Sequence, residues 1–131
     1  MHKIKVQTTN RREITDITAL VSRVVREIGV MKGICHVFVP HTTAAVTLNE
    51  NTDPNVRHDM LGALDRMVPQ EAEYLHAEGN SPAHLLATLV GSSETAFVEN
   101  GKLVLGAWQA LYLCEFDGPR MRTVLIKIIP G

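Results

Sequence analysis

The tightest constraint on this chain is the tetrapeptide Glu99-Asn100-Gly101-Lys102, set between two β-type stretches. Asn-Gly tolerates the positive φ that both central positions of a type I′ turn demand, so it joins neighbouring antiparallel strands through a two-residue loop. From Thr95 onward the pattern is strand. Residues 103–105, 110–116 and 123–129 follow, and Asp117-Gly118-Pro119-Arg120 turns between the last two. A chain committed to hairpins in this way must bury the resulting sheet against other elements.

The rest of the chain supplies them. Ile17, Leu20, Val21, Val24, Val25 and Ile28 recur at helical spacing, with Arg23, Arg26 and Glu27 on the other face. Thr15 is the expected N-cap of this helix, Asp16 suits its first turn, and Gly29 suits its C-cap. Ile4 and Val6 alternate with Lys3, Lys5 and Gln7 as a half-buried strand. Residues 33–39 and 44–48 read as two more strands, joined by Pro40-His41-Thr42-Thr43. Asp53-Pro54 opens a second helix with an apolar stripe of Val56, Met60, Leu64 and Met67, ended by Pro69. Ser81-Pro82 opens a third by the same chemistry, running through Leu85, Leu86 and Leu89 to Gly91. Residues 70–80 are polar without a clear period, and so long a loop in a compact domain is functional or mobile.

With 131 residues, and no repeat, low-complexity tract or linker, the expectation is one α+β domain over residues 1–131. It comprises antiparallel sheet and about three helices. The net charge of −1 gives no field to draw in nucleic acid. No run approaches the roughly 20 apolar residues of a membrane span. The amino terminus lacks the apolar core of a signal peptide, so the expected compartment is the cytoplasm. Cys35 and Cys114, each inside an apolar run, are expected as buried free thiols.

Polar chemistry concentrates in residues 41–59 and 74–84. His41 follows a strand end, and Glu50 and Asp53 follow the next. His76 lies in the polar loop and His84 in the first turn of the third helix, with Gly79 freeing the backbone between them. Three imidazoles on separate positions suit a divalent ion, zinc by ligand type, with Glu50 or Glu78 completing the shell. The spacing matches no dedicated zinc motif. Hydrogen-bonded structural histidines, and acid–base work near neutral pH, are the other two readings. His2, His36 and His58 stand outside the cluster. Arg120 and Arg122 lie two apart, so on an extended strand they share a face. That arrangement makes either a clamp for phosphate or carboxylate, or a charged edge that discourages aggregation. The helix start at Ser81 offers N–H groups to an anion, and Ser92-Ser93 is a further contact of that kind. No glycine-rich phosphate loop, nucleophile elbow or dinucleotide fingerprint is present.

The motifs taken together resemble one family. They are His41-Thr42-Thr43-Ala44, Leu48-Asn49-Glu50-Asn51, Asp53-Pro54, Val56-Arg57, Asp59-Met60, Tyr74, His76, Glu78-Gly79-Asn80 and Pro82-Ala83-His84. They continue with Leu105-Gly106, Trp108-Gln109, Glu115, and Asp117-Gly118-Pro119-Arg120 with Arg122. This order is similar to the signature of the YjbQ-like proteins, commonly labelled secondary thiamine-phosphate synthases, over nearly the whole chain. The resemblance implies antiparallel sheets packed as a sandwich with helices alongside, a homotrimer, and a cytoplasmic location. It implies one site built from His41, His76 and His84, with Glu50, Asn49, Asp53 and Arg120 nearby. On the two grounds together, His41, Glu50, Asp53, His76 and His84 are the expected catalytic groups, and the three histidines the ligands of a divalent metal, zinc or Mg²⁺. Asn49, Thr42, Ser81, Arg120 and Arg122 would hold a phosphorylated small-molecule substrate. The implied reaction joins a hydroxymethylpyrimidine pyrophosphate to a thiazole phosphate with loss of pyrophosphate, as a side activity. Metal-dependent hydrolysis of a small phosphorylated compound, and a non-catalytic anion- or metabolite-binding trimer, stay open beside it.

Overall fold

The computed structural model describes residues 1–70, 74–76 and 79–131. In chain order its elements are β1 (His2–Gln7), β2 (Glu13–Asp16), α1 (Thr18–Ile28), β3 (Gly33–Phe38), β4 (Ala44–Glu50) and α2 (Pro54–Met67). They continue with α3 (Ser81–Val90), β5 (Ser93–Glu99), β6 (Lys102–Val104), β7 (Gln109–Glu115) and β8 (Met121–Pro130). The strands form two antiparallel sheets, one ordered β1-β8-β3-β5-β6 and the other β2-β7-β4. The turn between β5 and β6 has the backbone that Asn-Gly allows, with φ of 52° at Asn100 and 73° at Gly101.

The sheets pack face to face. Cys35 and Val37 of β3 and Val124 and Ile126 of β8 meet Val46 of β4 and Leu111 and Leu113 of β7. Val21, Val24 and Val25 of α1, with Ile17 before it and Ile28 packed alongside, close the same core as expected from helical spacing, whereas Leu20 of the expected stripe is exposed. The opposite face of the three-stranded sheet carries a second core. There Ala45, Cys114 and Phe116 meet Ala83 and Leu86 of α3, with Leu61 and Leu64 of α2 packed alongside. Covered on both faces, β7 is buried at every residue from Ala110 to Glu115. Its near-continuous apolar run is the sequence trace of that double burial.

Local capping follows the sequence at α2, where the Asp53 carboxylate accepts the Asn55 N–H at 2.9 Å, and at α1, where Gly29 takes the left-handed conformation with φ 77°. Elsewhere it departs. Thr15 is not a cap, because residues 13–16 pair with Tyr112–Glu115 of β7 as strand β2. The α1 N-cap is Ile17, and Asp16 accepts the Thr18 N–H at 2.9 Å. Asn80, not Ser81, is the N-cap of α3. The expected stripe of α2 is only partly covered: no residue of α2 is fully buried and Met67 stays 65% exposed. Cys35 and Cys114 are buried free thiols, pushed up by burial to about 11 and about 12 respectively. No helix among the described residues is long and apolar enough to cross a membrane.

Candidate functional site

The site begins where β3 leaves the large sheet. The register pairs Phe38 with Leu125, so the next facing pair would be Pro40 and Thr123. Instead the chain turns away: the Val39 N–H goes to the Ser92 carbonyl at 2.8 Å. The Thr123 N–H, left without a ladder partner, donates to His41 Nε2 at 2.9 Å. An imidazole nitrogen that accepts a backbone N–H carries its lone pair, so His41 is neutral with its proton on Nδ1. Burial first, and the positive charge of Arg122 second, hold its pKa below the ordinary imidazole value.

Arg122 precedes Thr123, and strand alternation turns its side chain into the sandwich, where it is 2% exposed. There it donates to both carboxylate oxygens of Glu115, and to the Thr43 carbonyl at 3.1 Å and hydroxyl at 2.8 Å. Glu115 also accepts the Thr8 hydroxyl at 2.7 Å and the Asp117 N–H at 3.1 Å. Arg122 is therefore the inner brace of the Thr42-Thr43 segment. The expected Arg120–Arg122 clamp does not form, because β8 starts at Met121 and Arg120 belongs to the turn before it. Arg120 donates to the Asp117 carbonyl at 2.8 Å and carboxylate at 3.1 Å, with half its side chain exposed.

The other wall is the start of α3. Asn80 donates its amide to the Asp117 carboxylate at 3.0 Å, and its Oδ1 is buried without a partner. The His84 N–H donates to the Asn80 carbonyl at 3.4 Å, and its ring meets that of His76 edge to face with centroids 5.2 Å apart. Two cavities adjoin here. The larger, of about 520 Å³, is lined by Thr42, Thr43, His76, Asn80, His84, Asp117 and Arg120. The smaller, of about 360 Å³, is lined by His41, Thr42, Ala44, His84, Ala87, Thr88, Gly91 and Ser92. Thr42 and His84 border both.

The structure thus brings His41, Thr42, His76, His84 and Arg120 to one region, with Ser81 heading α3 beside them. Among the described residues no three His, Cys, Asp or Glu side chains gather into a group that could hold a metal ion. His41 is turned to the Thr123 N–H. Glu78 lies outside the described residues. Asn49, Glu50 and Asp53 do not join this site within one chain. Asn49 and Glu50 close the far end of β4, whose six steps from Ala44 to Glu50 span about 20 Å, and Asp53 lies beyond it. Their polar groups serve locally: Asn49 Oδ1 accepts the Glu50 N–H at 2.7 Å, and the buried Tyr112 hydroxyl lies 2.9 Å from the Glu50 carbonyl and 3.2 Å from Asn51 Oδ1. Thr43, Asn80 and Asp117 were not expected in the site. Asn80 was open to reading as the residue before a Ser-Pro helix start; Asp117 has no such signal.

A two-sheet α+β domain with two adjoining cavities that meet at a histidine on a helix start is the class this geometry defines. The chain belongs to the UPF0047 protein YjbQ-like family, whose model matches residues 2–131. The UPF0047 protein YugU of Bacillus subtilis is 47% identical over 127 residues, 96% of each chain. A UPF0047 protein of Methanocaldococcus jannaschii is 43% identical over 129 residues, 98% of this chain and 94% of its own. Among solved structures, an uncharacterized conserved protein of the YjbQ/UPF0047 family from Clostridium acetobutylicum superposes with a TM-score of 0.96 at 50% identity, covering 98% of this chain and 100% of its own. A protein of unknown function from Sulfolobus solfataricus gives 0.94 at 35% identity, covering 99% and 96%.

Proposed function

We propose that the two adjoining cavities bind the two components of a small-molecule transfer reaction of the secondary thiamine-phosphate synthase type. The observation that carries this reading is the wall they share. A group transferred from one bound molecule to another must cross between them, and among the described residues only Thr42 and His84 border both spaces. The larger cavity holds Arg120 and the start of α3, groups that favour phosphate oxygens. As the thiazole nitrogen bonds to the methylene carbon of the pyrimidine, that carbon's bond to oxygen breaks, pyrophosphate leaves with the bonding pair, and Arg120 would stabilise the charge it carries. His84, at the shared wall, would donate a proton to the departing pyrophosphate oxygen. The divalent ion implied by the resemblance, zinc or Mg²⁺, finds two donors here, His76 and His84, and no step of the reading depends on it. Homotrimeric assembly and a cytoplasmic location enter this proposal through the same resemblance.

The test is pyrophosphate release from hydroxymethylpyrimidine pyrophosphate and thiazole phosphate by the purified protein. His84→Gln is expected to lower turnover about 100-fold or more, the range of a lost acid–base group. Glu50→Gln, about 20 Å away along β4, should stay within about twofold of the parent. Hydrolysis of the pyrophosphate without the thiazole would replace this reading with a hydrolase. Binding of both compounds without turnover would replace it with a binding protein.

A further inference from the structure

We infer that the smaller cavity holds an uncharged ring carrying a hydrogen-bond acceptor, and that His41 recognises it as a fixed neutral donor through Nδ1–H. The inference rests on the reading that these cavities hold substrate, and it names what one of them takes. The Thr123 N–H occupies Nε2, which leaves Nδ1–H as the only polar atom of the ring that can face a ligand. Nδ1 has no hydrogen-bond partner among the described residues. The one buried side-chain polar atom left unpaired there is Asn80 Oδ1, so Nδ1 is open to solvent. His41 lines the smaller cavity and not the larger.

The rest of the lining agrees. Among the described residues no Asp, Glu, Lys or Arg borders the smaller cavity, whereas Asp117 and Arg120 border the larger. The phosphate of the component whose ring sits in the smaller cavity therefore extends past Thr42 and His84 into the larger space. Ala44, Ala87 and Gly91 put only small groups on the walls of the smaller one, leaving width for a flat ring. The same geometry removes two other roles from His41. A nitrogen engaged by an N–H is neither a free base nor a metal ligand unless that bond is given up.

Two substitutions separate the two sides of the imidazole. In His41→Gln the amide oxygen reaches the position of Nε2 and can still accept from Thr123, but the donor at the Nδ1 position is gone. In His41→Asn the amide nitrogen stands where Nδ1 stood, and the Thr123 N–H loses its acceptor. The probes are the 2-, 3- and 4-pyridylmethyl phosphates against benzyl phosphate, which match in shape and differ only in a ring-nitrogen acceptor. The parent protein is expected to bind one pyridyl isomer about tenfold more tightly than benzyl phosphate, the value of one hydrogen bond. His41→Gln should bind the two equally, and His41→Asn should keep the preference while melting lower. In parallel, nitrogen-15 spectra of the parent should show His41 as the Nδ1–H tautomer, with that nitrogen shifting on addition of the preferred pyridyl phosphate. Equal binding of all the aryl phosphates by the parent, or an Nε2–H tautomer, would overturn the inference and leave the proposed function standing. Failure to bind any aryl phosphate while inorganic phosphate binds also overturns it. Failure to bind either overturns the underlying reading as well.

Discussion

Replacing Glu115 by Gln tests whether the framework behind the site works as described. The Glu115 and Arg122 side chains are 0% and 2% exposed, and they face one another across the end of the sandwich. Changing only the carboxylate leaves a guanidinium buried without a counter-charge, a change that costs about 3–5 kcal/mol when one partner of a buried pair is removed. Gln keeps a carbonyl acceptor for Arg122, so the low end of that range, about 3 kcal/mol, is expected. For a chain of 131 residues, 1 kcal/mol corresponds to roughly 3–4 °C in melting temperature, so the loss should be near 10 °C. Removing both charges together, as Glu115→Leu with Arg122→Met, leaves no orphaned ion and should return stability to within about 2 kcal/mol of the parent. The residual deficit comes from the Thr43 and Thr8 groups that lose their partners. Binding should behave differently. Both variants loosen the hold of Arg122 on Thr43, next to the Thr42 that borders both cavities. The double variant should therefore recover stability without recovering affinity for benzyl phosphate. Urea unfolding followed by circular dichroism, with calorimetric titration of the phosphate, reads both quantities. A Glu115→Gln loss below about 1 kcal/mol would show a pair solvated like a surface salt bridge and would refute the reasoning.

Two further outcomes follow from the same region. Because the folded His41 pKa lies below its unfolded value of 6.5, the unfolded chain takes up the proton first. The stability due to His41 is complete above that value and is lost as pH falls from 6.5 through the folded value. The stability difference between the parent and His41→Gln should accordingly shrink between pH 7 and pH 5 in urea unfolding, and a pH-independent difference would sink the assignment. Gly118→Ala should destabilise by about 1–3 kcal/mol through overpacking. Its new Cβ would fall against the Asn10 carbonyl and stand 2.8 Å from Glu115 Cγ and 2.9 Å from Thr8 Oγ1. An unchanged urea midpoint would mean that this turn gives way freely.

What could be read from the chain was what the chain decides locally. Asn100-Gly101, Asp53-Pro54 and the stripe of α1 each depend on a few neighbouring residues, and each is found where expected. Strand β2 has four residues and a single buried-type side chain, Ile14, so only its pairing with Tyr112–Glu115 makes it a strand. Arg120 and Arg122 illustrate the same limit at the site. A spacing of two places residues on one face only if both are in the strand, and one residue of offset at the start of β8 sends Arg122 inward and leaves Arg120 in the turn. Asn80 and Asp117 are 37 residues apart and meet only because the turn before β8 stands against the start of α3. The separation of His41 from Glu50 was the more legible consequence. Residues 44–48 read as a strand, and an extended segment between two polar groups carries them apart at about 3.3 Å per residue. One chain therefore cannot present Glu50 and His84 to the same small molecule. A ligand that felt both would need a second copy to bring its own Glu50 alongside. Equal losses from Glu50→Gln and His84→Gln would establish that arrangement, and unequal losses would confine the chemistry to the cavities of a single chain.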